Sequence, residues 1–128
     1  MCLLTVMSPG STPTREQLLE AACNNPHGFG YAIMFEDRIV TGRGMDAEEI
    51  IDRFLAIRER CPDTWAMFHH RYTTHGDTNK SNCHPFRVGG NPDIVLAHNG
   101  IIPVDMPVGD RRSDTRVFAE DELPHLID

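Results

Sequence analysis

Apolar positions fall in short runs, and the spacing within them switches between strand-like and helix-like periods. Leu3-Leu4-Thr5-Val6-Met7 is nearly continuous and predicts a first strand buried on both faces. Residues 8–14 carry Pro9-Gly10 and Pro13 and read as a loop. Thr14 followed three positions on by Gln17 is a capping box, so a helix is expected from residue 15 to about 23, with Leu18, Leu19 and Ala22 inward. Asn24-Asn25-Pro26-His27-Gly28 breaks it. Residues 29–35 and 38–41 then read as paired strands around a Glu36-Asp37 turn, with Gly42 and Gly44 ending the hairpin. Asp46 and Glu49 cap a second helix, 47–60, whose stripe is Ile50, Phe54 and Ile57 with Ile51 and Leu55 beside it. Further strands are expected at 65–72 and 94–98, separated by a polar loop at 73–83. Asn99-Gly100 reads as a turn into Ile101-Ile102. A loop spans 103–112. Ser113 then caps a short acidic helix from Asp114 to about Asp121, closed by Pro124. Strands and helices mix without strict βαβ alternation. That predicts an α+β domain over residues 1–128, with antiparallel or mixed sheets and helices packed outside them.

Charge and composition narrow the class. A chain of 128 residues can bury a core of its own. Its net charge of -7 argues against a nucleic-acid-binding surface, which needs clustered Lys and Arg. No apolar run approaches a membrane span, and Met1 is not followed by a basic segment and an apolar core, so a cytoplasmic protein with no membrane association is expected. Cys2, Cys23, Cys61 and Cys83 show no paired spacing and read as free thiols in a reducing compartment. Five of the seven histidines crowd into thirty positions, 69–98, which calls for a chemical reason.

Four polar stretches could carry chemistry. Cys2 becomes the first residue once Met1 is removed, and then holds a free α-amine beside its thiol, a nucleophile with its own base. Its bland reading is a small buried hydrophobe on an edge strand. Arg71, leaving a strand inside His69-His70-Arg71-Tyr72-Thr73-Thr74-His75-Gly76, can grip a carboxylate through two parallel hydrogen bonds, or be a rim arginine at the sheet edge. Asn99-Gly100 is first of all a turn, but an Asn amide and the next N–H can also hold an oxyanion. Ser113-Asp114-Thr115 starts a helix, and there a carboxylate could meet a ligand ammonium.

In chain order, Met1-Cys2, His27-Gly28-Phe29-Gly30, His69-x-Arg71-Tyr72-x-Thr74-His75-Gly76, Asn82-x-His84-Pro85-Phe86, His98-Asn99-Gly100-Ile101-Ile102 and Ser113-Asp114-Thr115 together resemble the class II glutamine amidotransferase domain of the N-terminal-nucleophile hydrolases. The resemblance runs from Cys2 to about Phe118 and takes in His69, His75, His84 and His98. It implies a four-layer αββα sandwich of mainly antiparallel sheets. It also implies that Cys2 attacks the glutamine side-chain amide and that its α-amine relays the proton. By the same resemblance Asn99 and Gly100 would form the oxyanion hole, Arg71 would bind the substrate carboxylate, Thr74 and His75 would line the pocket, Asp114 would bind the ammonium, and Gly28 or its neighbours would bring backbone close to the nucleophile. No cofactor and no metal is implied.

His27 stands where the family commonly has an acidic residue, and Tyr72 where it usually has Trp. The chain also ends soon after Ser113-Asp114-Thr115, where family members continue with further strands, so a version truncated on the C-terminal side is expected, prone to form a homo-oligomer or to seek a partner. With no synthase domain in the chain, a separate synthase or ligase subunit would receive the ammonia. The alternatives are a related amidase acting on another γ-glutamyl compound and a non-catalytic glutamine-binding module. A metal site built from His69, His75, Cys83 and His84 is disfavoured by the adjacency of Cys83 and His84.

Overall fold

The computed structural model describes residues 2–127. Removal of Met1 therefore lies outside the described residues. Two capped helices behave as their sequences dictate. In α1 (Arg15–Asn24) the Thr14 hydroxyl accepts the Gln17 N–H while the Gln17 side chain accepts the Thr14 N–H, completing the capping box. In α2 (Ala47–Arg60) the Asp46 carboxylate accepts the Glu49 N–H, with Glu48 and Glu49 in the first turn and Arg58 and Arg60 in the last, as the helix dipole favours.

Both helices cover one face of an antiparallel sheet formed by β1 (Leu3–Met7), β2 (Phe29–Phe35), β3 (Arg38–Gly44) and β4 (Ala66–His70), in the order β1-β4-β2-β3. Strand alternation decides which residues they meet. Tyr31 pairs with Phe68, Ile33 with Ala66 and Met7 with Ala66, and these lie on the helix side with Ile50, Ile51 and Phe54. The Phe54 ring stands edge-on to Phe68 with centroids 5.3 Å apart, inside the range where aromatic pairs add to their area burial. On β3, Gly42 stands opposite Tyr31, and an added Cβ there would fall 2.4 Å from the phenol ring.

One expectation is corrected here and another is extended. β1 is an edge strand, not one buried on both faces: Leu3 is 39% and Val6 60% exposed, because only β4 pairs with it and little covers its outer side. The α2 stripe packs Ile57 against the core, half-buried as expected, but its most buried position in the last turn is another residue. The position one turn beyond Phe54 is Arg58, 1% exposed, whose guanidinium donates to the Ser8, Ser11, Cys61 and Thr64 carbonyls and to Thr12 Oγ1. A buried cation so fully hydrogen-bonded fastens the β1–α1 loop to the end of α2.

The other sheet face carries β5 (Phe86–Val88) and β6 (Asn91–Leu96), a two-stranded antiparallel hairpin. It sits over β3, where Arg87 donates to the Ile39 carbonyl, leaving an apolar groove between its Ile94 and Val95 and the sheet residues Val6, Met34, Trp65 and Met67. β5 was not expected at all, and β6 starts earlier than residue 94. Asn99-Gly100 does not form a hairpin, and Ile101-Ile102 is not a strand among the described residues. α3 (Asp114–Val117) starts at Ser113 as predicted, then loosens into a π-helical stretch over Phe118–Glu122 and a 3₁₀ turn over Leu123–His125. It packs beside the hairpin, where the Gly89 N–H donates to the Ala119 carbonyl at 3.0 Å. The chain is thus α+β with antiparallel sheets, the second of which is a single hairpin.

Candidate active site

Cys2 precedes β1 and is held by the chain leaving β4. Its Sγ accepts the Tyr72 N–H at 3.2 Å and lies 3.5 Å from the Tyr72 carbonyl, toward which a thiol hydrogen can point. The cleft it borders is also lined by Arg71, Thr74, His75, His84, His98, Gly100, Asp114 and Thr115, and is narrow, with a cavity volume of about 10 Å³. Residues from both ends and the middle of the sequence therefore meet at one spot. Asn99 is exposed and does not line the cleft, although Gly100 does.

Arg71 is 2% exposed and reaches back over its own loop. One terminal nitrogen donates to the Asp77 carbonyl at 2.8 Å, the other to the His75 carbonyl at 2.9 Å. A guanidinium has five N–H donors, so three remain for a ligand. Burial lowers its pKa from the ordinary arginine value, without threatening its charge. Thr74 and His75 are exposed on the loop that Arg71 ties down. The same loop passes close under Ser113: a Cβ on Gly76, at φ +78°, would come 2.5 Å from the Ser113 nitrogen.

Asp114 is the first residue of α3 and 6% exposed. One carboxylate oxygen accepts its neighbour Thr115 N–H at 2.8 Å, and the other accepts the Ile102 N–H. Each oxygen keeps lone-pair capacity toward the cleft. Asp114 thereby anchors the downstream end of the Asn99-Gly100 loop.

Gly28 does not line the cleft. It faces Cys83, whose Sγ would lie 2.4 Å from an added Cβ, and its carbonyl accepts the Arg71 N–H at 2.8 Å. Two positions on, a Cβ on Gly30 would overlap the His84 carbonyl at 1.6 Å. The two glycines thus let residues 83–84 press onto β2. His27 packs its ring on Tyr72, centroids 4.7 Å apart, and accepts the Thr73 N–H at Nδ1.

Sequence reasoning missed two supports. Asn82, 1% exposed, donates to the Asp77 and Arg111 carbonyls and accepts the Ser113 N–H, so it joins the Arg71 loop to the start of α3. Its place in Asn82-x-His84-Pro85-Phe86 was the available signal. The second is the arrangement inside the histidine cluster, which the sequence marked only as crowding. The His69 and His84 rings stack face to face, centroids 3.8 Å apart and planes 4° apart. Burial lowers the His69 pKa to about 4 and that of His84 to about 2, so both are neutral at ordinary pH. His70 lies on the opposite sheet face, joined through Nε2 to the Leu18 carbonyl at 2.9 Å, and burial lowers its pKa too. Among the described residues no group of three or more His, Cys, Asp or Glu side chains is placed to hold a metal ion. No helix there is long and apolar enough to cross a membrane.

No protein-family model matches the chain. Part of it is similar to the glutamine–fructose-6-phosphate aminotransferase (isomerizing) of Halobacterium salinarum, with 32% identity over 78 residues. That match covers 58% of this chain and only 13% of the length of the relative.

Proposed function

We propose that residues 1–128 form a class II glutamine amidotransferase domain, which hydrolyses the side-chain amide of glutamine at Cys2 and hands ammonia to a separate acceptor-binding protein. The observation that carries this reading is the meeting of Cys2, Arg71, Gly100 and Asp114 around one cleft. Glutamine has one carboxylate, one ammonium and one amide, and the cleft has a cation with donors to spare, an anion with lone pairs to spare and a nucleophile. The partial similarity to an enzyme named for its use of glutamine points the same way.

In this mechanism Met1 is removed and the freed α-amine of Cys2 takes the thiol proton. The sulfur attacks the amide carbon, and the oxyanion is held by the Gly100 N–H and the Asn99 side chain, which turns inward from its exposed position. The C–N bond breaks as the α-ammonium returns the proton to the leaving nitrogen, giving ammonia and a γ-glutamyl thioester. Water, deprotonated by the same amine, then attacks the thioester, and the products are glutamate and the free thiol. Arg71 grips the substrate carboxylate and Asp114 its ammonium, with Thr74 and His75 beside them.

The test is glutamate release from glutamine, together with the intact mass of the protein before and after a glutamine-mimicking electrophile. The expected result is a chain lacking Met1, a single adduct on Cys2, and a silent Cys2→Ala variant. Adduct confined to Cys23, Cys61 or Cys83, or a Cys2→Ala variant that releases glutamate like the wild type, overturns the reading. Cys23 is exposed and needs peptide mapping as a control, whereas Cys83 is fully buried.

A further inference from the structure

We propose that His69 and His84 are positioning residues that set the oxyanion loop by holding both main-chain polar groups of His98. The inference rests on the glutaminase reading of the cleft. His98 immediately precedes Asn99-Gly100. Its N–H donates to His84 Nδ1 at 3.1 Å, and its carbonyl accepts from His69 Nε2 at 3.1 Å. These partners dictate the tautomers. A carbonyl only accepts, so His69 carries its proton on Nε2. A main-chain N–H only donates, so Nδ1 of His84 is bare and its proton is on Nε2. The stack thus presents one donor and one acceptor to a single residue, and the acceptor exists only while the His84 ring is neutral.

Each ring is itself held. His69 is at the end of β4 with no exposed surface, and its Nδ1 has no partner, so the bond to His98 is the ring's one hydrogen bond. His84 is 4% exposed, and its backbone is pressed against β2 by the absence of a side chain at Gly30. At the other end of the loop the Asp114 carboxylate accepts the Ile102 N–H. Between these two anchors Gly100 takes φ +136°, a conformation open to glycine, and an added Cβ would come 3.2 Å from the His98 ring. Asn99 and Gly100 therefore span a short bridge whose upstream end is set by two imidazoles. A donor displaced by about 1 Å from an oxyanion can cost on the order of a hundredfold in rate.

Amide side chains separate the hydrogen bonds from bulk packing. His84→Asn puts an oxygen where Nδ1 accepts, and His69→Gln puts an N–H₂ where Nε2 donates. His84→Leu and His69→Leu remove the polar atom and keep the volume. Steady-state glutamine hydrolysis and amide hydrogen exchange at His98 are measured for all four and the wild type. The expected result is that kcat falls tenfold to a hundredfold in each Leu variant while the KM for glutamine stays within twofold. The Asn and Gln variants should recover most of the loss, and His98 N–H exchange should quicken at least tenfold in His84→Leu and return in His84→Asn. Leu variants with wild-type kcat overturn the proposal, as do Asn and Gln variants as slow as the Leu ones; if a Leu variant does not fold, the Asn and Gln comparison decides. A wild type that neither labels at Cys2 nor releases glutamate removes the glutaminase reading and this inference together. An active wild type with unaffected variants removes this inference alone.

Discussion

Acidification should destabilise this protein through its buried histidines before its carboxylates titrate. His69 and His84 have folded pKa values of about 4 and about 2. In the unfolded chain each returns to roughly 6.5. The folded values lie below the unfolded ones, so the unfolded state binds protons first as the pH falls. The stabilisation from keeping these rings neutral is complete above about pH 6.5 and is lost as pH drops from there toward the folded values. Between pH 7 and pH 5 the unfolded state gains about 2 kcal/mol for each such ring, or about 4 kcal/mol for the pair. His70 is shifted in the same direction and adds to the loss. Against a typical total of about 5–15 kcal/mol this is a large share. The assay is urea unfolding followed by far-UV circular dichroism at pH 7, 6 and 5. His84→Asn keeps the acceptor but does not titrate, and should recover about 2 kcal/mol of the pH 5 loss. Parallel losses in the wild type and His84→Asn, or a wild-type loss below about 1 kcal/mol, would refute the reasoning.

Three other outcomes are expected. Asn99→Ala should lower kcat by about a hundredfold, the order of 3 kcal/mol that one oxyanion donor supplies, with KM little changed; a raised KM at constant kcat would assign Asn99 to substrate binding instead. Arg71→Lys should raise the glutamine KM at least tenfold, because an ammonium cannot serve the His75 and Asp77 carbonyls and a carboxylate at once; this is read from saturation curves. Arg58→Ala should cost about 3 kcal/mol, since it strands the Ser8, Ser11 and Thr64 carbonyls, and lower Tm by roughly 10 °C in a thermal melt without touching the cleft.

Local signals made both long helices and the four-stranded sheet legible. The caps at Thr14 and Asp46 form as read, and the hairpin around Glu36-Asp37 forms as alternation predicts, although β3 runs on through Gly42 and Gly44, which were expected to end it. What escaped were features decided by tertiary contact. The β5–β6 hairpin is announced by Gly89-Gly90, both with positive φ, but a three-residue strand and Pro92 give periodicity too little to work on. Asn99-Gly100 carries the same signal and makes no hairpin, because His98 and Ile102 are tied to side chains and not to each other. Arg58 reads as an exposed last-turn cation, and only the approach of the β1–α1 loop makes it a core residue. The cleft was legible as a set of residue types in order. That Arg71 and Asp114 also brace the loops around them was not, since main-chain acceptors and donors leave no trace in composition.

The apolar groove beside Trp65 bears on how this protein can be watched. Trp65, the sole tryptophan, stands 56% exposed at its edge and not in the Phe54–Phe68 core. Its fluorescence will be red-shifted in the native state and will change little on unfolding, so an emission shift is a poor melting curve here. A dye that brightens in apolar crevices will brighten on the folded protein, and will take energy from Trp65 when it does. Dye fluorescence at neutral pH then reports the uncovered sheet face, and only a rise above that native level signals a molten state.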